Sequence, residues 1–152
     1  MKVITKRFEQ LTSLELYLIL QARAEVFALE QKIVYQDMDN FDQKSTHIFI
    51  IENGELMSYA RLIDPGVKYD EPSIGRVLTV KPARGKHYAT QILLTALMHA
   101  QKFNMPVRIE AQSYLREYYE KQGFEAISDE FLLEGIKHIS MIHPPLPKIE
   151  TL

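Results

Sequence analysis

The chain has 152 residues, 46% of them apolar and 25% charged, which is typical of a globular domain. Its net charge of −2 argues against nucleic-acid binding, and the lack of cysteine excludes disulfides, a thiolate nucleophile and zinc–thiolate sites. The first ten residues lack the apolar core of a signal peptide, and no run approaches a membrane span of roughly 18 apolar residues. We therefore expect one cytoplasmic domain over residues 1–152, with an extended, proline-containing tail over 143–152.

The first part of the chain predicts a strand over residues 3–8 and then a helix capped by Thr12 or Ser13. Arg23 and Glu30 lie on the apolar face of this helix, seven residues apart. Two interpretations stay open here. These long side chains either reach solvent from the edge of the apolar face or point into a cleft.

The middle of the chain predicts a β-hairpin over residues 47–63, because two β-rich runs flank Asn53-Gly54, a pair suited to a type I′ turn. Residues 73–80 predict a central, buried strand. The rest of the chain predicts a helix from Ala89 to Phe103, a buried strand over 107–111, a short helix from Ser113 to Gln122, and strands over 124–133 and 137–142.

The predicted order is β, α, β-hairpin, β, α, β, α, β, β. It combines an antiparallel front with a strand–helix–strand crossover, so the fold class is mixed α/β with helices flanking a mostly antiparallel sheet.

The turn VKPARGKHYATQ (residues 80–91) joins the central strand to the second helix and has the features of an anion site. The first N–H groups of a helix have no partner within it, and the helix dipole favours negative charge. Arg84 and Lys86 add positive charge, and Gly85 allows close approach of the backbone. A pyrophosphate is therefore a natural ligand. The triphosphate loop G-x-x-x-x-G-K-[ST] does not fit, because its first Gly is Val80 and its Ser or Thr is His87.

RGKHYA (84–89), together with YLREYYEKQGFEA (114–126), resembles the GNAT superfamily of acetyl-coenzyme A-dependent N-acetyltransferases. The pyrophosphate loop of that family reads [QR]-x-x-G-x-[GA], and a later helix ends in Tyr-x-x-x-Gly-Phe, here Tyr119 to Phe124. Further segments are similar to the ElaA-type branch: ARAEVFALEQ (22–31), YQDMDNFD (35–42), His47, IGR (74–76) and GIKHISM (135–141).

Two positions depart from the family pattern. The central Gly of the loop is His87 here, and we expect its N–H to serve an anion only if His87 is helical rather than left-handed. The usual loop proline would fall at residue 81 and is Pro82 here, which predicts a slightly different loop path.

The resemblance implies acetyl-CoA as co-substrate, without a metal. The pantetheine arm would pair with the backbone of one strand as an added strand does. The two crossover strands would splay apart and place the thioester between residues 77–79 and 108–112. The implied cofactor-binding residues are Val77, Leu78 and Thr79 on the strand, and Arg84, Gly85, Lys86, His87, Tyr88, Ala89 and Thr90 in the loop.

Acetyl transfer from a thioester needs a neutral amine, a stabilised oxyanion and a proton for the departing thiolate. By resemblance Tyr119 would supply that proton, whereas the residues alone suggest a core aromatic side chain. The N–H near Leu78 is the candidate oxyanion donor. Glu110, His138 and Glu25 are alternative bases, each acting through water. Each also has a structural explanation: Glu110 could be an ion-pair partner near Arg108, and His138 could be a core histidine. The acidic groups could also serve only to attract a cationic amine.

The acceptor is expected to be an amine on a small molecule or peptide. The residues expected to bind it are Arg23, Glu25, Glu30, His47 and Arg76. A homodimer is compatible with the sequence, although no residue argues for it. The alternative function is a non-catalytic acyl-CoA-binding regulatory module on the same fold.

No metal site is predicted. The acidic segment 35–42 invites a calcium loop, but its position for the obligatory Gly holds Asp42 and its twelfth position holds Ile48 rather than Glu. A solvated turn or the rim of the acceptor pocket explains it better. The five histidines show no metal-ligand spacing, and His99 is expected on the surface.

Overall fold

The computed structural model describes residues 2–146, in which eight strands form one sheet with three α-helices packed against it. The strand order across the sheet is β1-β2-β3-β4-β5-β8-β6, and β7 pairs with β8. The strands are β1 Val3–Arg7, β2 Ser45–Glu52, β3 Glu55–Ile63, β4 Ser73–Thr79, β5 Val107–Gln112, β6 Glu125–Ala126, β7 Phe131–Leu133 and β8 Ile136–His143, and the helices are α1 Ser13–Arg23, α2 Tyr88–Ala100 and α3 Arg116–Lys121. This mixed fold confirms the predicted class.

The predicted tail over 143–152 is described only in part. His143 is the last residue of β8, and residues 147–152 lie outside the described residues. Between residues 2 and 146, no helix is both long and apolar enough to cross a membrane.

Helix α1 begins with a reciprocal cap. The Thr12 hydroxyl accepts a hydrogen bond from the Glu15 N–H at 3.1 Å, and the Glu15 carboxylate accepts one from the Thr12 N–H at 2.8 Å. Beyond Arg23 the helix continues as a π-helix over Ala24–Glu30. Such π segments are rare and occur often at functional sites. This one brings the end of the helix to the cleft described below.

The sheet buries a different core on each face. Successive side chains of a strand point to opposite faces, so Ile48 packs on the α2 side while Phe49 packs on the α1 side. The predicted hairpin joins β2 to β3 through Asn53-Gly54, and both residues have the positive φ that a type I′ turn requires.

Strand β4 contains a bulge. The β3–β4 register shifts between Tyr59 and Arg61, so that Arg76 and Val77 lie opposite the single residue Ala60. Arg76 has a φ of 52°, which is unusual for a residue with a side chain. A bulge bends its strand and re-aims the side chains that follow.

Beyond this bulge, β4 separates from its parallel neighbour β5. The two strands share one register pair, Ser73 with Arg108, and one further hydrogen bond joins the Arg108 N–H to the Pro72 carbonyl at 2.9 Å. Their C-terminal halves diverge, which opens the sheet at its centre and leaves main-chain groups without strand partners.

The last third of the chain differs in detail from the prediction. Residues 124–133 form two short strands, β6 and β7, instead of one. The interruption is polar: the Ser128 hydroxyl accepts from the Ser140 N–H at 2.9 Å, and the Ile127 N–H donates to the Ser140 carbonyl at 2.8 Å. Helix α3 is also shorter than predicted, because Ser113–Leu115 form a 3₁₀ turn before it.

Candidate active site

A cleft of about 670 Å³ lies where β4 and β5 diverge. This volume is in the range of sites for small molecules, ~300–1,000 Å³. Residues 74–79 line one side and residues 109–112 the other, while α3, β8 and the π-helix close the ends. The predicted catalytic residues other than Glu25 line this cleft, as do five of the predicted cofactor-binding residues: Val77, Leu78, Thr79, Arg84 and Ala89. The other five, Gly85, Lys86, His87, Tyr88 and Thr90, do not line it.

The edge of β4 that faces the cleft presents free backbone groups. The Val80 N–H donates to the Met57 carbonyl of β3 at 3.0 Å. Main-chain groups alternate in direction along a strand, so those of Leu78 also point to β3, and those of Val77 and Thr79 point into the cleft. Of the N–H groups near Leu78, those of Val77 and Thr79 are therefore the ones that face the cleft.

The loop that precedes α2 presents a group of free N–H donors. In the described part of the chain, the N–H groups of residues 85–90 donate no hydrogen bond, and the first helical bond runs from the Gln91 N–H to the His87 carbonyl at 3.3 Å. The 13-residue helix behind them directs its positive dipole end to the same place. Donors and dipole together favour an anion.

His87 is left-handed, with φ 63° and ψ 21°, so it does not adopt the helical conformation on which the sequence prediction made anion binding by its N–H depend. The left-handed region is the one that glycine enters freely, and histidine is among the residues that tolerate it. His87 thus follows a backbone path open to the glycine of the loop pattern, and its N–H makes no hydrogen bond to any described residue. Pro82, the other departure, lies in a 3₁₀ turn over Lys81–Ala83.

Arg84 crosses the mouth of the cleft. Its Nε donates to the Thr79 carbonyl at 2.9 Å, and its Nη2 donates to Glu30 Oε2 at 2.7 Å. The guanidinium therefore covers one of the carbonyls that the open edge of β4 presents. A ligand that pairs with Thr79 has to displace it.

Tyr119 lies at the inner end of the cleft and is 6% exposed. Its ring packs edge-on against Tyr118 at 5.2 Å and Phe124 at 5.7 Å, measured between centroids. Its hydroxyl makes no hydrogen bond with any residue between 2 and 146. Burial raises the pKa of Tyr119, with smaller contributions from nearby tyrosines, so the phenol stays protonated and able to donate.

The Tyr-x-x-x-Gly-Phe pattern has a steric reason in this structure. Gly123 has a φ of 98°, and a Cβ on it would lie 2.7 Å from His143 Nε2. The turn lets the Phe124 N–H donate to the Tyr119 carbonyl at 3.1 Å. Glycine is required here because the turn that places the Phe124 ring against Tyr119 has a positive φ and no room for a Cβ.

Glu110 and His138 both line the cleft. Glu110 accepts from Arg108 Nε at 3.0 Å and from the Ser140 hydroxyl at 2.5 Å, so the ion pair considered from the sequence is present. His138 Nδ1 lies 2.8 Å from the Ile136 carbonyl. A carbonyl only accepts, so Nδ1 carries the proton and Nε2 is the acceptor, as a general base requires.

The five predicted acceptor-binding residues divide into two groups. Glu30 and Arg76 line the cleft, while Arg23, Glu25 and His47 do not. Arg23 is 0% exposed and is held by carboxylates; His47 is also fully buried, with its ring nitrogens bonded to the Tyr59 hydroxyl and the Asp42 carbonyl. Glu25 is exposed outside the cleft. We therefore withdraw these three as substrate contacts, and Glu25 as a base.

The acidic segment 35–42 is neither a calcium loop nor a solvated turn. Its three aspartates neutralise three arginines that come from α1, β3 and β4. The ion pairs are Arg23 with Asp37 and Asp42 at 2.8 and 2.7 Å, Arg61 with Asp39 and Asp42 at 2.7 and 2.9 Å, and Arg76 with Asp37 and Asp39 at 2.8 and 3.4 Å. In the described part of the chain, no three histidine, aspartate or glutamate side chains are arranged to hold a metal ion. We call these six residues the Arg–Asp cluster.

Among the cleft residues that the sequence analysis missed are Lys68 and Tyr69, both in the loop between β3 and β4. Burial, followed by the charge of Glu110, raises the pKa of Tyr69 to about 12. The Arg108 guanidinium lies over the Tyr69 ring at 4.5 Å. The loop has no motif that would have indicated a site, and only the path of the chain brings it to the cleft.

Comparison with known proteins identifies the family. Residues 13–143 match the family model described as an Acetyltransferase (GNAT) domain. The chain is similar to a UPF0039 protein of Synechocystis, with 38% identity over 140 residues, covering 90% of this chain and 91% of that protein. It is also similar to protein ElaA of Escherichia coli, with 32% identity over 136 residues, covering 87% and 89%.

Solved structures agree with the sequence comparison. An acyl-CoA N-acyltransferase from Pseudomonas aeruginosa superposes with a TM-score of 0.89 at 36% identity, over 93% of this chain and 98% of that one. Escherichia coli ElaA superposes with a TM-score of 0.87 at 29% identity, with the same coverages of 93% and 98%.

The fold is that of a solved acyltransferase, and the chain belongs to the GNAT acetyltransferase family. Within that family it groups with the ElaA-type proteins, as the sequence segments predicted.

Proposed function

We propose that this protein transfers the acetyl group of acetyl-CoA directly to a primary amine. One observation carries the proposal: the edge of β4 at Val77 and Thr79, which no neighbouring strand covers, leads into the loop whose residues 85–90 have free N–H groups. A strand-like amide arm and a pyrophosphate therefore find contiguous binding sites. The similar Pseudomonas protein, an acyl-CoA N-acyltransferase, supports this assignment.

Two parts of the chain are suited to binding acetyl-CoA, the acyl donor. The open edge of β4 offers main-chain groups that pair with the amides of a pantetheine arm. The loop N–H groups, with Arg84 and Lys86, offer hydrogen bonds and positive charge to the pyrophosphate. Arg84 has to leave the Thr79 carbonyl for both contacts to form together.

The reaction places one group at each developing charge. The amine nitrogen attacks the thioester carbonyl, and the N–H of Val77 or Thr79 stabilises the oxyanion. As the carbon–sulfur bond breaks, the Tyr119 hydroxyl protonates the thiolate. The proton lost by the amine passes through water to His138 Nε2 or to Glu110. The chain has no cysteine, which excludes an acyl-cysteine intermediate and supports direct transfer.

Calorimetric titration of acetyl-CoA and of free CoA into the pure protein tests the donor site. We expect saturable binding of both, followed by CoA release when the loaded protein meets a suitable amine. No binding at millimolar ligand would overturn the proposal. Binding without turnover for any amine would favour the non-catalytic acyl-CoA-binding module.

A further inference from the structure

Lys68 is the one cation of the cleft, in the described part of the chain, that has no carboxylate partner. The cleft is lined by four lysine or arginine side chains. Arg61 and Arg76 are paired within the Arg–Asp cluster, and Arg84 is paired with Glu30. Lys68 makes no ion pair or hydrogen bond to any residue between 2 and 146.

The surroundings of Lys68 are aromatic and positively charged. Its Nζ lies 5.9 Å from the centroid of Phe41 and 5.4 Å from that of Tyr69. Lys68 is exposed as a whole residue. Partial burial of its ammonium and the charges of Arg61 and Arg76 lower its pKa, while the charges of Asp39 and Glu110 oppose this. An anion bound at this ammonium would pair with Lys68 itself, because the charges of Arg61 and Arg76 are already balanced by aspartates.

The charged groups around the cleft form two sets of opposite net sign. The three arginines and three aspartates of the Arg–Asp cluster cancel, which leaves Lys68 as a net positive charge on its wall. On the β5 wall, Arg108 faces both Glu71 and Glu110, which leaves a net negative charge. The cleft is therefore complementary to a molecule with one group of each sign.

We propose that the acceptor is an amine that carries a carboxylate group, held with its carboxylate at Lys68 and its nitrogen on the Glu110 side. This inference rests on the proposed acetyltransferase function and narrows it. Polyamines are disfavoured as acceptors because they would bring a second cation against Lys68, and unmodified amino sugars are disfavoured because they bring no carboxylate to it.

The test uses matched pairs of acceptors. A panel of α- and ω-amino acids is assayed with acetyl-CoA, each beside its own carboxamide and beside polyamines and amino sugars, with CoA release as the readout. We expect kcat/KM to be about tenfold or more higher for an amino acid than for its amide, because a charge-assisted hydrogen bond is lost with the carboxylate.

The variant Lys68→Gln assigns the effect to this residue. We expect it to raise KM for the amino acid by about tenfold while kcat and the amide kinetics stay nearly unchanged. Lys121→Gln, an exposed lysine on α3 that does not line the cleft, is the matched control and should behave as wild type. CoA affinity, measured calorimetrically in both variants, should not change.

Two results would overturn the inference while the proposed function stands: turnover confined to amines without a carboxylate, or amino-acid kinetics that Lys68→Gln does not alter. Two other results are different, namely a failure of CoA to bind the wild-type protein and CoA binding without turnover of any amine. Either would remove the proposed function and, with it, the inference about the acceptor.

Discussion

The Arg84 guanidinium donates to the Glu30 carboxylate at 2.7 Å, so the principal cation of the anion loop is already occupied in the free protein. The same guanidinium holds the Thr79 carbonyl. One side chain therefore links the end of the π-helix, the edge of β4 and the loop. Donor binding has to break at least one of these contacts, and the cost can be measured.

Glu30→Gln should tighten CoA binding roughly twofold to fivefold, because an exposed ion pair of this kind contributes ~0.2–1 kcal/mol that binding no longer has to replace. Arg84→Gln should weaken binding about tenfold through loss of a charge-assisted hydrogen bond. Glu25→Gln removes the same charge from the same π-helix without touching Arg84, and it controls for long-range charge. The affinity for CoA is measured by calorimetry. Equal changes in affinity for Glu30→Gln and Glu25→Gln would show that the Arg84–Glu30 ion pair is unimportant.

Tyr119→Phe should lower kcat by about a hundredfold or more, in the range of general acid catalysis, and leave CoA affinity unchanged. Its hydroxyl makes no hydrogen bond with a described residue, so the variant should fold like wild type. Tyr118→Phe is the control, since it loses only a 2.8 Å bond to the Thr90 hydroxyl. Normal turnover by Tyr119→Phe, measured as CoA release, would make the acid assignment wrong.

His87→Gly should bind CoA within about twofold of wild type, because the backbone already occupies a region that glycine enters freely. His87→Val should destabilise the protein by about 1–2 kcal/mol and weaken binding, since a β-branched residue resists positive φ. Urea denaturation and calorimetry on both variants test this. A large gain in affinity for His87→Gly would instead mean that the imidazole obstructs the loop.

Acidification should weaken the Arg–Asp cluster. Burial alone raises the pKa of Asp39, but the hydrogen bonds and charge of Arg61 outweigh it and lower the pKa from 3.8 to about 2. Because the pKa in the folded protein lies below the unfolded value, the stabilisation is present above about pH 4 and is lost as pH falls toward 2.

Solvent partly screens Asp39, so we expect this group to contribute about 1 kcal/mol to the pH dependence of the unfolding free energy. Asp39→Asn should be less stable than wild type at pH 7 and lose less stability by pH 3. Asp129→Asn, on an exposed loop, should keep the wild-type slope. Parallel slopes for wild type and Asp39→Asn in urea titrations would contradict the assignment.

Local chemistry made most of the fold predictable. Thr12 with Glu15, Asn53 with Gly54, and the apolar spacing of α2 each specify an element through neighbours in the sequence. Motif residues such as Tyr119 and Gly123 were also accessible, because their spacing reflects one tight turn.

The long-range pairings were not predictable. Arg23, Arg61 and Arg76 find their aspartates 14 to 39 residues away in the chain, and nothing in one sequence fixes such partners. Arg23 was therefore taken for a substrate contact when it is structural. Lys68 could not be predicted either, because its importance lies in having no ion-pair partner among the described residues, and a single sequence does not show which lysines are unpaired.

Because β4 and β5 share a single register pair, the two halves of the sheet are joined only near the start of these strands. A bound donor would act as the missing strand between them, which makes ligand binding part of the folding equilibrium. At a donor concentration of 100 times Kd the linkage is worth about 2.7 kcal/mol. The resistance of the protein to proteolysis would then increase with the concentration of acyl donor.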